Sequence, residues 1–338
     1  MAMKAVDGKP FALVRDTGSL AKGAAAMRAK LPGTTLKKVL DGAARKAVHK
    51  GANSAFSGMN PMPVEWYNFE KDDQDTPDWY PQGVACASEA GRAEPVVAVS
   101  WYWKPNDGRP EKGVRLSFLN VSTRKYAHVL LVRPAADGSY KPINIHAGGI
   151  AWSGDLIYVA DTNNGLRVFD VRGLVDLAST PAKKYLAYRY LMPQVDHWRP
   201  VSGPARFSFV SIDRTHSPDV LLSGEYVEPG ATGRVARWPL AADHTLKADS
   251  QGVVRPIDAY AMPKNKIQGA HSHDGRWYLS QARDSRSRGS LVVVDKAGKV
   301  TTRDFPVGPE DLSCWREKKT LWSVTEFRNK RAVFAVRL

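Results

Sequence analysis

The segment Gly148–Val171, GGIAWSGDLIYVADTNNGLRVFDV, sets the pattern that the rest of the chain repeats. It predicts three short strands joined by a Gly-Asp turn and an Asn-Asn-Gly turn. Its apolar runs are rich in β-branched and aromatic residues and end at turn residues, as strands of a meander do. The middle strand, Leu156–Ala160, leads directly into Asp161.

The same unit recurs in five places, with a spacing of roughly 40 to 65 residues. A first strand begins near each of five anchors, which are Gly83, Gly149, Ser208, Gly269 and Asp311. The other copies of the second strand are Val96–Trp103, Val220–Tyr226, Arg276–Ala282 and Leu321–Phe327. A fourth strand ends on proline in four units, at Tyr126–Pro134, Lys183–Pro193, Val253–Pro263 and Lys299–Pro306. Four strands per unit at this spacing predict the blades of a β-propeller.

The last unit has only three strands before the chain reaches Leu338. Its fourth strand must come from elsewhere, and Val64–Glu70, just before the first blade, has the required alternation. A strand supplied from the N-terminal side would leave no open edge in the ring. The sequence therefore predicts an all-β domain over residues 63–338, a five-bladed β-propeller closed by residues 63–70.

Residues 1–62 do not resemble blades, and we expect a helical N-terminal arm and linker. Apolar periodicity predicts helices over Leu20–Lys30 and Leu36–His49, followed by a Gly/Pro/Met linker, Ser54–Pro63. The arm either packs on the flank or base of the propeller, or forms a lid or a contact for another chain.

The net charge of +15 is spread over the whole chain, without a basic stripe or a nucleic-acid motif, so we expect no specific nucleic-acid partner. No apolar run is long enough for a membrane span. We expect a monomer. The two cysteines, Cys86 and Cys314, either pair across the closure or remain buried free thiols.

Two further segments could bind ligands. The acidic segment Lys71–Tyr80 is either a solvated loop or a calcium loop, and calcium is the one cofactor that we consider. A long connection over Leu177–Gly203 contains DHWRP, which includes Trp198, and long loops are often functional.

The starts of first strands and the ends of second strands lie at the same end of a four-stranded antiparallel blade. Polar residues at these places are therefore expected to converge on one mouth of the central channel. The candidate catalytic residues are Asp161, Glu225, Glu326, Glu310 and His146. The candidate substrate-binding residues are Gln82, Trp101, Arg206, Gln268, His271, Arg283, Asp311 and Trp198. No nucleophile elbow and no histidine cluster at metal spacing is found, and no metal ligand is assigned.

Several carboxyl groups around one cavity suit acid/base cleavage of a glycan, with aromatic side chains available for stacking on sugar rings. The main alternative is a non-catalytic module that binds a glycan or a protein at the same mouth. A third is a calcium-dependent ester or lactone hydrolase.

Six motifs together are similar to a group of secreted actinobacterial propeller proteins. These motifs are WYPQG, HAGGIAW, ADTNNGLRVFD, GEY, IQGA and GPEDLS, and the resemblance extends from Trp66 to Leu338. It implies a propeller fold and an extracellular setting, and it names no reaction. The N-terminal sequence MAMKAVDGKP does not have the pattern of a secretory signal. In blade count the chain also resembles five-bladed glycoside-active enzymes, which is an analogy of fold only.

Overall fold

Four hydrogen-bonded sheets contain five four-stranded antiparallel units that follow one another along the chain. We call these units sheets I to V, and sheets I and II belong to one thirteen-stranded sheet. The structure, a computed structural model, describes residues 2–16, 18–105, 107–110, 112–203 and 205–338. These residues form a mostly-β protein with few helices. Within each sheet the strands pair in chain order, except that the fourth strand of sheet V comes from the N-terminal side.

The strands of the five sheets have the following bounds. Sheet I consists of Trp79–Cys86, Val96–Trp103, Val114–Asn120 and Lys125–Pro134. Sheet II consists of Ile150–Ser153, Leu156–Asp161, Gly165–Asp170 and Tyr190–Pro200. Sheet III consists of Phe209–Asp213, Val220–Gly224, Arg234–Pro239 and Asp258–Ala261. Sheet IV consists of Ile267–His273, Arg276–Gln281, Arg288–Val294 and Val300–Val307. Sheet V consists of Ser313–Trp315, Thr320–Val324, Ala332–Arg337 and Glu65–Asn68.

The predicted closing strand is confirmed. Glu65–Asn68 pairs antiparallel with Ala332–Arg337, so that Val333 lies opposite Tyr67 and Phe334 lies opposite Trp66. The pairing joins the end of the chain to a segment that precedes sheet I. Backbone groups of the last strand that would otherwise be unpaired are thereby satisfied.

The first strands contact one another between sheets I and II, II and III, III and IV, and V and I. At Gly149, before the first strand of sheet II, an added Cβ would lie 2.4 Å from the backbone nitrogen of Val210 in sheet III. At Gly269 it would lie 2.6 Å from Cα of Asp311, beside sheet V. Only glycine permits so close an approach of two backbones, which explains why glycines mark these repeat anchors.

Tyr190–Pro200 joins sheets I and II, which corrects the predicted ligand-binding loop over Leu177–Gly203. Its first residues pair parallel with Lys125–Pro134 of sheet I, and its later residues pair antiparallel with Gly165–Asp170 of sheet II. The DHWRP sequence is therefore part of the fourth strand of sheet II. The predicted fourth strand, Lys183–Pro193, was placed too early along the chain.

The N-terminal arm runs along the outer edges of the sheets. Lys4–Ala5 pairs with Asp258–Ala261, and Leu13–Arg15 pairs with Tyr190–Pro200. Further along the arm, Arg45–Lys46 pairs with sheet I and Val48–His49 pairs with the fourth strand of sheet V. Ser54–Phe56 then packs on the fourth strand of sheet IV. The arm thus covers edge strands, which are prone to pair with other chains.

The helices of the arm are shorter than predicted. Leu20–Lys30 is helical, as expected, whereas the second helix covers only Leu36–Asp41. The expectation that it continues to His49 was wrong, since the helix ends at Gly42 and the following residues pair with sheet edges. A third helix, Lys71–Asp75, replaces the predicted acidic loop.

The remaining regular elements are short. The 3-10 helices are Lys9–Phe11, Ser54–Phe56, Val171–Gly173 and Leu177–Ser179. The additional strands are Lys4–Ala5, Leu13–Arg15, Arg45–Lys46, Val48–His49, Tyr140–Pro142, Val175–Asp176 and Val253–Val254.

Apolar side chains fill the spaces between neighbouring sheets. Between sheets III and IV, Leu222 and Leu279 belong to one buried cluster. The arm contributes Phe11, which is fully buried against Phe207 and Trp238, and Trp238 Nε1 donates a hydrogen bond to the carbonyl of Phe11 at 3.1 Å. Burial of a large aromatic side chain contributes several kcal/mol, so the arm is fixed to the sheets by packing as well as by pairing.

Candidate functional site

A polar cavity of about 580 Å³ lies where the starts of first strands meet the ends of second strands. We call this place the mouth. The cavity is lined by Asn144, Ile145, His146, Asp161, Thr162, Asn163, Asn164, Arg206, Ser208, Tyr226 and Gln268. His146, Asp161, Arg206 and Gln268 were predicted from the sequence, and the structure brings them together.

Two glutamate side chains, Glu310 and Glu326, accept hydrogen bonds from glutamine side chains, and neither glutamate is among the residues that line this cavity. Gln268 Nε2 donates to Glu310 Oε1 at 3.2 Å, and Gln82 Nε2 donates to Glu326 Oε2 at 3.1 Å. Glu310 and Gln82 are each 1% exposed. Because Gln268 also lines the cavity, the carboxyl group of Glu310 lies directly behind the cavity wall.

The two carboxyl groups differ in acidity. Burial, together with the nearby charges of Glu326 and Asp311, raises the pKa of Glu310 well above its usual range. Burial raises the pKa of Glu326 to about 7, opposed by the hydrogen bond from Gln82 and by the charge of Arg331. Glu310 therefore keeps its proton to a higher pH than an ordinary glutamate, whereas Glu326 is near the midpoint of its titration at neutral pH.

Asp311 is a link between sheets. Its Oδ2 accepts hydrogen bonds from the backbone N–H groups of Val84 at 3.3 Å and Ile150 at 2.9 Å, in sheets I and II. Asp311 is fully buried, and this burial raises its pKa well above the usual range. The predicted substrate-binding residue thus connects the segment before sheet V to sheets I and II.

Asp161 and Glu225 are both neutralised by arginine within their own hairpins. Asp161 Oδ2 accepts from Arg167 at 2.8 Å. Glu225 forms a bidentate pair with Arg234, with distances of 2.8 and 2.7 Å. Such forked pairs fix both partners in orientation. These two carboxylates are consequently held as positioned acceptors at the rim of the mouth.

His146 and Arg206 are exposed at the cavity wall. The ring of His146 packs against Tyr102 with centroids 4.3 Å apart, and the backbone N–H of Arg206 donates to Glu225. Arg283 is exposed beyond the second strand of sheet IV, and it is not among the residues that line the cavity.

Three predicted binding residues do not lie at the mouth. Trp101 is fully buried, where its Nε1 donates to Ser117 at 2.8 Å, and Trp198 is 2% exposed within sheet II. Their rings therefore cannot stack on a ligand, which corrects the prediction that they would. His271 lies in the second half of its strand, towards the opposite end of sheet IV.

The acidic segment is part of an ion-pair network, and the calcium loop, which was one of the two alternatives for this segment, is not supported. Asp73 is 2% exposed, and it pairs with Arg115 at 2.7 Å and with Arg45 at 3.2 Å. It also accepts a hydrogen bond from the Tyr126 hydroxyl at 2.6 Å. A carboxylate already bound by two guanidinium groups is a poor ligand for a cation.

Several cavity residues were missed in the sequence. Asn163 and Asn164 lie in the Asn-Asn-Gly turn next to Asp161, and Tyr226 directly follows Glu225. Their positions at strand ends would have identified them. Cys86 and Cys314 are buried free thiols.

The comparisons with known proteins give a distant likeness only. The LVIVD repeat family matches residues 146–191, and no curated protein matches the chain. Across the described residues, no helix is both long and apolar enough to cross a membrane.

The solved structures that resemble the chain include a GH43_1 enzyme from Xanthomonas citri, with 12% identity and a TM-score of 0.40, covering 76% of this chain and 87% of that one. A GH43 β-xylosidase/α-arabinofuranosidase from a compost microbial metagenome has 12% identity and a TM-score of 0.41, and the match covers 86% of this chain and 94% of that enzyme. Kuenenia stuttgartiensis hydrazine synthase has 11% identity and a TM-score of 0.35, and the match covers 74% of this chain and 75% of that one. At these values the matches carry no argument about activity. The chain is a mostly-β protein with a distant structural similarity to β-propeller GH43 enzymes and with one matched LVIVD repeat.

Proposed function

We propose that sheets I to V are the blades of a five-bladed β-propeller and that its mouth binds a glycan and cleaves it by acid/base hydrolysis. The contacts between first strands of neighbouring sheets and the closing pair Val333–Tyr67 support the ring arrangement. In such a ring, residues far apart in sequence meet around one channel. An extracellular setting and a monomeric state remain predictions from the sequence.

The observation that carries the proposal is the pair of carboxyl groups, Glu310 and Glu326, with pKa values raised to different extents. Glycoside hydrolysis needs one carboxyl group that donates a proton and another that accepts one. Two neighbouring carboxyl groups whose environments separate their pKa values can take these two roles at the same pH.

In the proposed reaction, the ligand displaces the Gln268 side chain, which covers the buried Glu310. The Glu310 carboxyl group then donates its proton to the glycosidic oxygen while the bond from that oxygen to the anomeric carbon breaks. The Glu326 carboxylate accepts a proton from a water molecule, whose oxygen forms the new bond to the anomeric carbon. A proton returns from Glu326 to Glu310 through solvent, so that the pair is ready for the next cycle.

The other mouth residues position the ligand. Asp161 and Glu225 are fixed by arginine pairs and present carboxylate oxygens as acceptors, while Asn163 and Arg206 provide donors. Donors and acceptors fixed in this way suit a hydroxyl-rich neutral ligand, since each hydroxyl group both donates and accepts.

The second candidate is a non-catalytic glycan-binding module that uses the same mouth. The observation that favours it is that Asp161 and Glu225 are both held in ion pairs, which makes this part of the rim a rigid recognition surface. Preformed sites of this kind lose little entropy on binding.

Turnover distinguishes the two candidates. Purified protein is assayed against a panel of aryl glycosides and polysaccharides, with release of aglycone or reducing ends as the readout. Glu310→Gln and Glu326→Gln are expected to lower turnover about 10²- to 10⁴-fold, as loss of an acid or base does. Glu94→Gln is the matched control, because Glu94 pairs with Arg92 in the turn after the first strand of sheet I, at the opposite end of that sheet.

Binding without turnover, unchanged by either mouth substitution, would reject hydrolysis and favour the non-catalytic glycan-binding module. Absence of both binding and turnover across the panel would reject both candidates. Turnover that survives both substitutions would reject the assignment of this pair.

A further inference from the structure

A second cluster of chemically active side chains lies at the far end of sheets IV and V. His271 and His273 are two residues apart on the first strand of sheet IV, so their side chains point to the same face. Cys314 comes from the first strand of sheet V. One potential ligand atom from each of the three residues lies within 4.8 Å of the others. The described part of the chain contains no other group of this kind.

His271 lacks the partners that a buried histidine normally has. It is 1% exposed, and neither ring nitrogen finds a hydrogen-bond partner among the described residues. The nearest charged group is Glu89, whose Oε1 lies 3.5 Å from Nδ1. A buried polar group without a partner costs free energy, and such groups in native proteins usually have an explanation.

The space between these side chains matches a small occupant. Glu89, His271, His273 and Cys314 line a small cavity of about 10 Å³, together with Ile212, Arg214, Thr215 and Arg316. This is about the volume that one water-sized probe occupies. The cavity is too small for an organic ligand, whereas a single ion with protein ligands would fill it.

We propose that His271, His273 and Cys314 bind one zinc ion, and that the Glu89 carboxyl group, which lines the same cavity 3.5 Å from His271 Nδ1, turns towards the ion as the fourth ligand. Two imidazole nitrogens and one sulfur form a ligand set that zinc prefers over calcium or magnesium, which take oxygen ligands. In a tetrahedral zinc site, ligand atoms are about 3.3 to 3.8 Å apart. Small side-chain rotations from the observed separations would reach that geometry.

Two acidic groups of the cavity can balance a divalent cation. A Cys314 thiolate and a Glu89 carboxylate would together balance the two charges of the ion, with both histidines neutral. Two arginines, Arg214 and Arg316, also line the cavity. Arg214 Nη1 pairs with Asp219 at 2.7 Å, so the charge of Arg214 is largely compensated by a partner outside the cluster.

The ion would join sheets IV and V, and sheet I through Glu89. A site with four protein ligands and no open position is typical of structural zinc. This role does not depend on the reaction proposed at the mouth.

The test uses full-length protein without an affinity tag, stripped with a chelator and then dialysed. Zinc binding is measured by competition with a chromophoric chelator, and bound metal is counted by elemental analysis. Reloading with Co²⁺ gives a second readout, because a cobalt–thiolate bond produces a charge-transfer absorption band. We expect one zinc per chain, the thiolate band, and a thermal midpoint that rises with zinc concentration.

Variants separate the cluster from non-specific binding. Cys314→Ser and His273→Gln are each expected to weaken zinc binding at least tenfold, and Cys314→Ser removes the cobalt–thiolate band. Cys86→Ser is the matched control, because Cys86 is also buried and lies outside the cluster. His273 is only partly buried, so His273→Gln tests the site even if Cys314→Ser does not fold.

Equal zinc affinity in the wild type and in His273→Gln would overturn the proposal. The proposal would also be overturned if Cys86→Ser lost the cobalt–thiolate band while Cys314→Ser retained it. Wild-type protein that binds less than one zinc per chain at micromolar concentrations would contradict it as well.

Discussion

Replacing Asp73 by asparagine tests the ion-pair network that fixes the helix Lys71–Asp75 to sheet I. The side chain of Asp73 is 4% exposed and that of its partner Arg115 is 6% exposed, with 2.7 Å between Oδ1 and Nη2. The Tyr126 hydroxyl and His128 Nε2 contact the same carboxylate. An asparagine amide keeps the shape of the side chain and removes its charge, so Arg115 remains buried without a full counter-charge.

Breaking one side of a buried ion pair costs about 3–5 kcal/mol of unfolding free energy. Since the total free energy of unfolding is typically about 5–15 kcal/mol, the loss is a large fraction of it. The effect also depends on pH. Burial favours the protonated form of Asp73, but His128 and Arg115 outweigh it and hold the pKa of this carboxyl group well below its usual range.

A carboxyl group with a lowered folded-state pKa stabilises the protein above its unfolded pKa of about 3.9. That contribution is lost as the pH falls below this value. The difference between wild type and Asp73→Asn is therefore expected to be largest near neutral pH and to shrink in acid.

Urea unfolding followed by tryptophan fluorescence measures the unfolding free energy and, when repeated at several pH values, its dependence on pH. Asp72→Asn is the matched control, since Asp72 is an exposed residue of the same helix, and its change should stay within about 0.5 kcal/mol. A loss below about 1 kcal/mol for Asp73→Asn at neutral pH, or a loss equal to that of the control, would refute the reasoning.

Three other predictions concern the mouth, sheet II and the arm. Glu310→Gln should remove one contribution to the pH dependence of the unfolding free energy. Because the folded-state pKa of Glu310 is raised, this residue lowers the stability of the wild type as the pH rises above about 4.3, whereas glutamine cannot ionise. Parallel curves for the two proteins in urea titrations across pH would contradict this. Trp198→Ala should lower the unfolding free energy by about 3–5 kcal/mol, because a fully packed ring is removed from sheet II; a change below 1 kcal/mol would show that Trp198 is not buried there. Removing residues 1–15 should expose the outer edges of sheets II and III and cause aggregation, which light scattering measures. A truncated chain that stays monomeric would contradict the edge-covering role of the arm.

The repeat pattern was sufficient to predict most strands and the closing strand, because turn residues and apolar runs report local structure. It failed for Tyr190–Pro200, where Gln194, Asp196 and His197 resemble an exposed loop. Their polar atoms are satisfied by distant or cross-strand partners. Arg15, for example, lies 181 positions away and pairs with Asp196 at 2.7 Å. Such partners cannot be identified from local sequence.

The mouth was predicted in outline because the position of a residue within its strand places it at one end of a sheet. The pairs Asp161–Arg167 and Glu225–Arg234 belong to hairpins, so cross-strand neighbours could have revealed them. The group formed by His271, His273 and Cys314 depends on the contact between two sheets. The one feature of the local sequence that indicates this group is the pair of histidines two positions apart on one strand.

The proposed acid/base pair requires that the carboxyl groups of Glu310 and Glu326 titrate separately. ¹³C NMR of glutamate side-chain carboxyl carbons measures their titration without a substrate. We expect a midpoint near pH 7 that disappears in Glu326→Gln, since burial raises the pKa of Glu326 to about 7. Another midpoint, well above the usual glutamate range, should disappear in Glu310→Gln. Burial also raises the pKa of Glu89, to about 8, and its midpoint should remain in both variants. If Glu310 and Glu326 instead both titrate near the ordinary value of about 4.3, they are equally ionised at neutral pH, and the mouth has no proton donor.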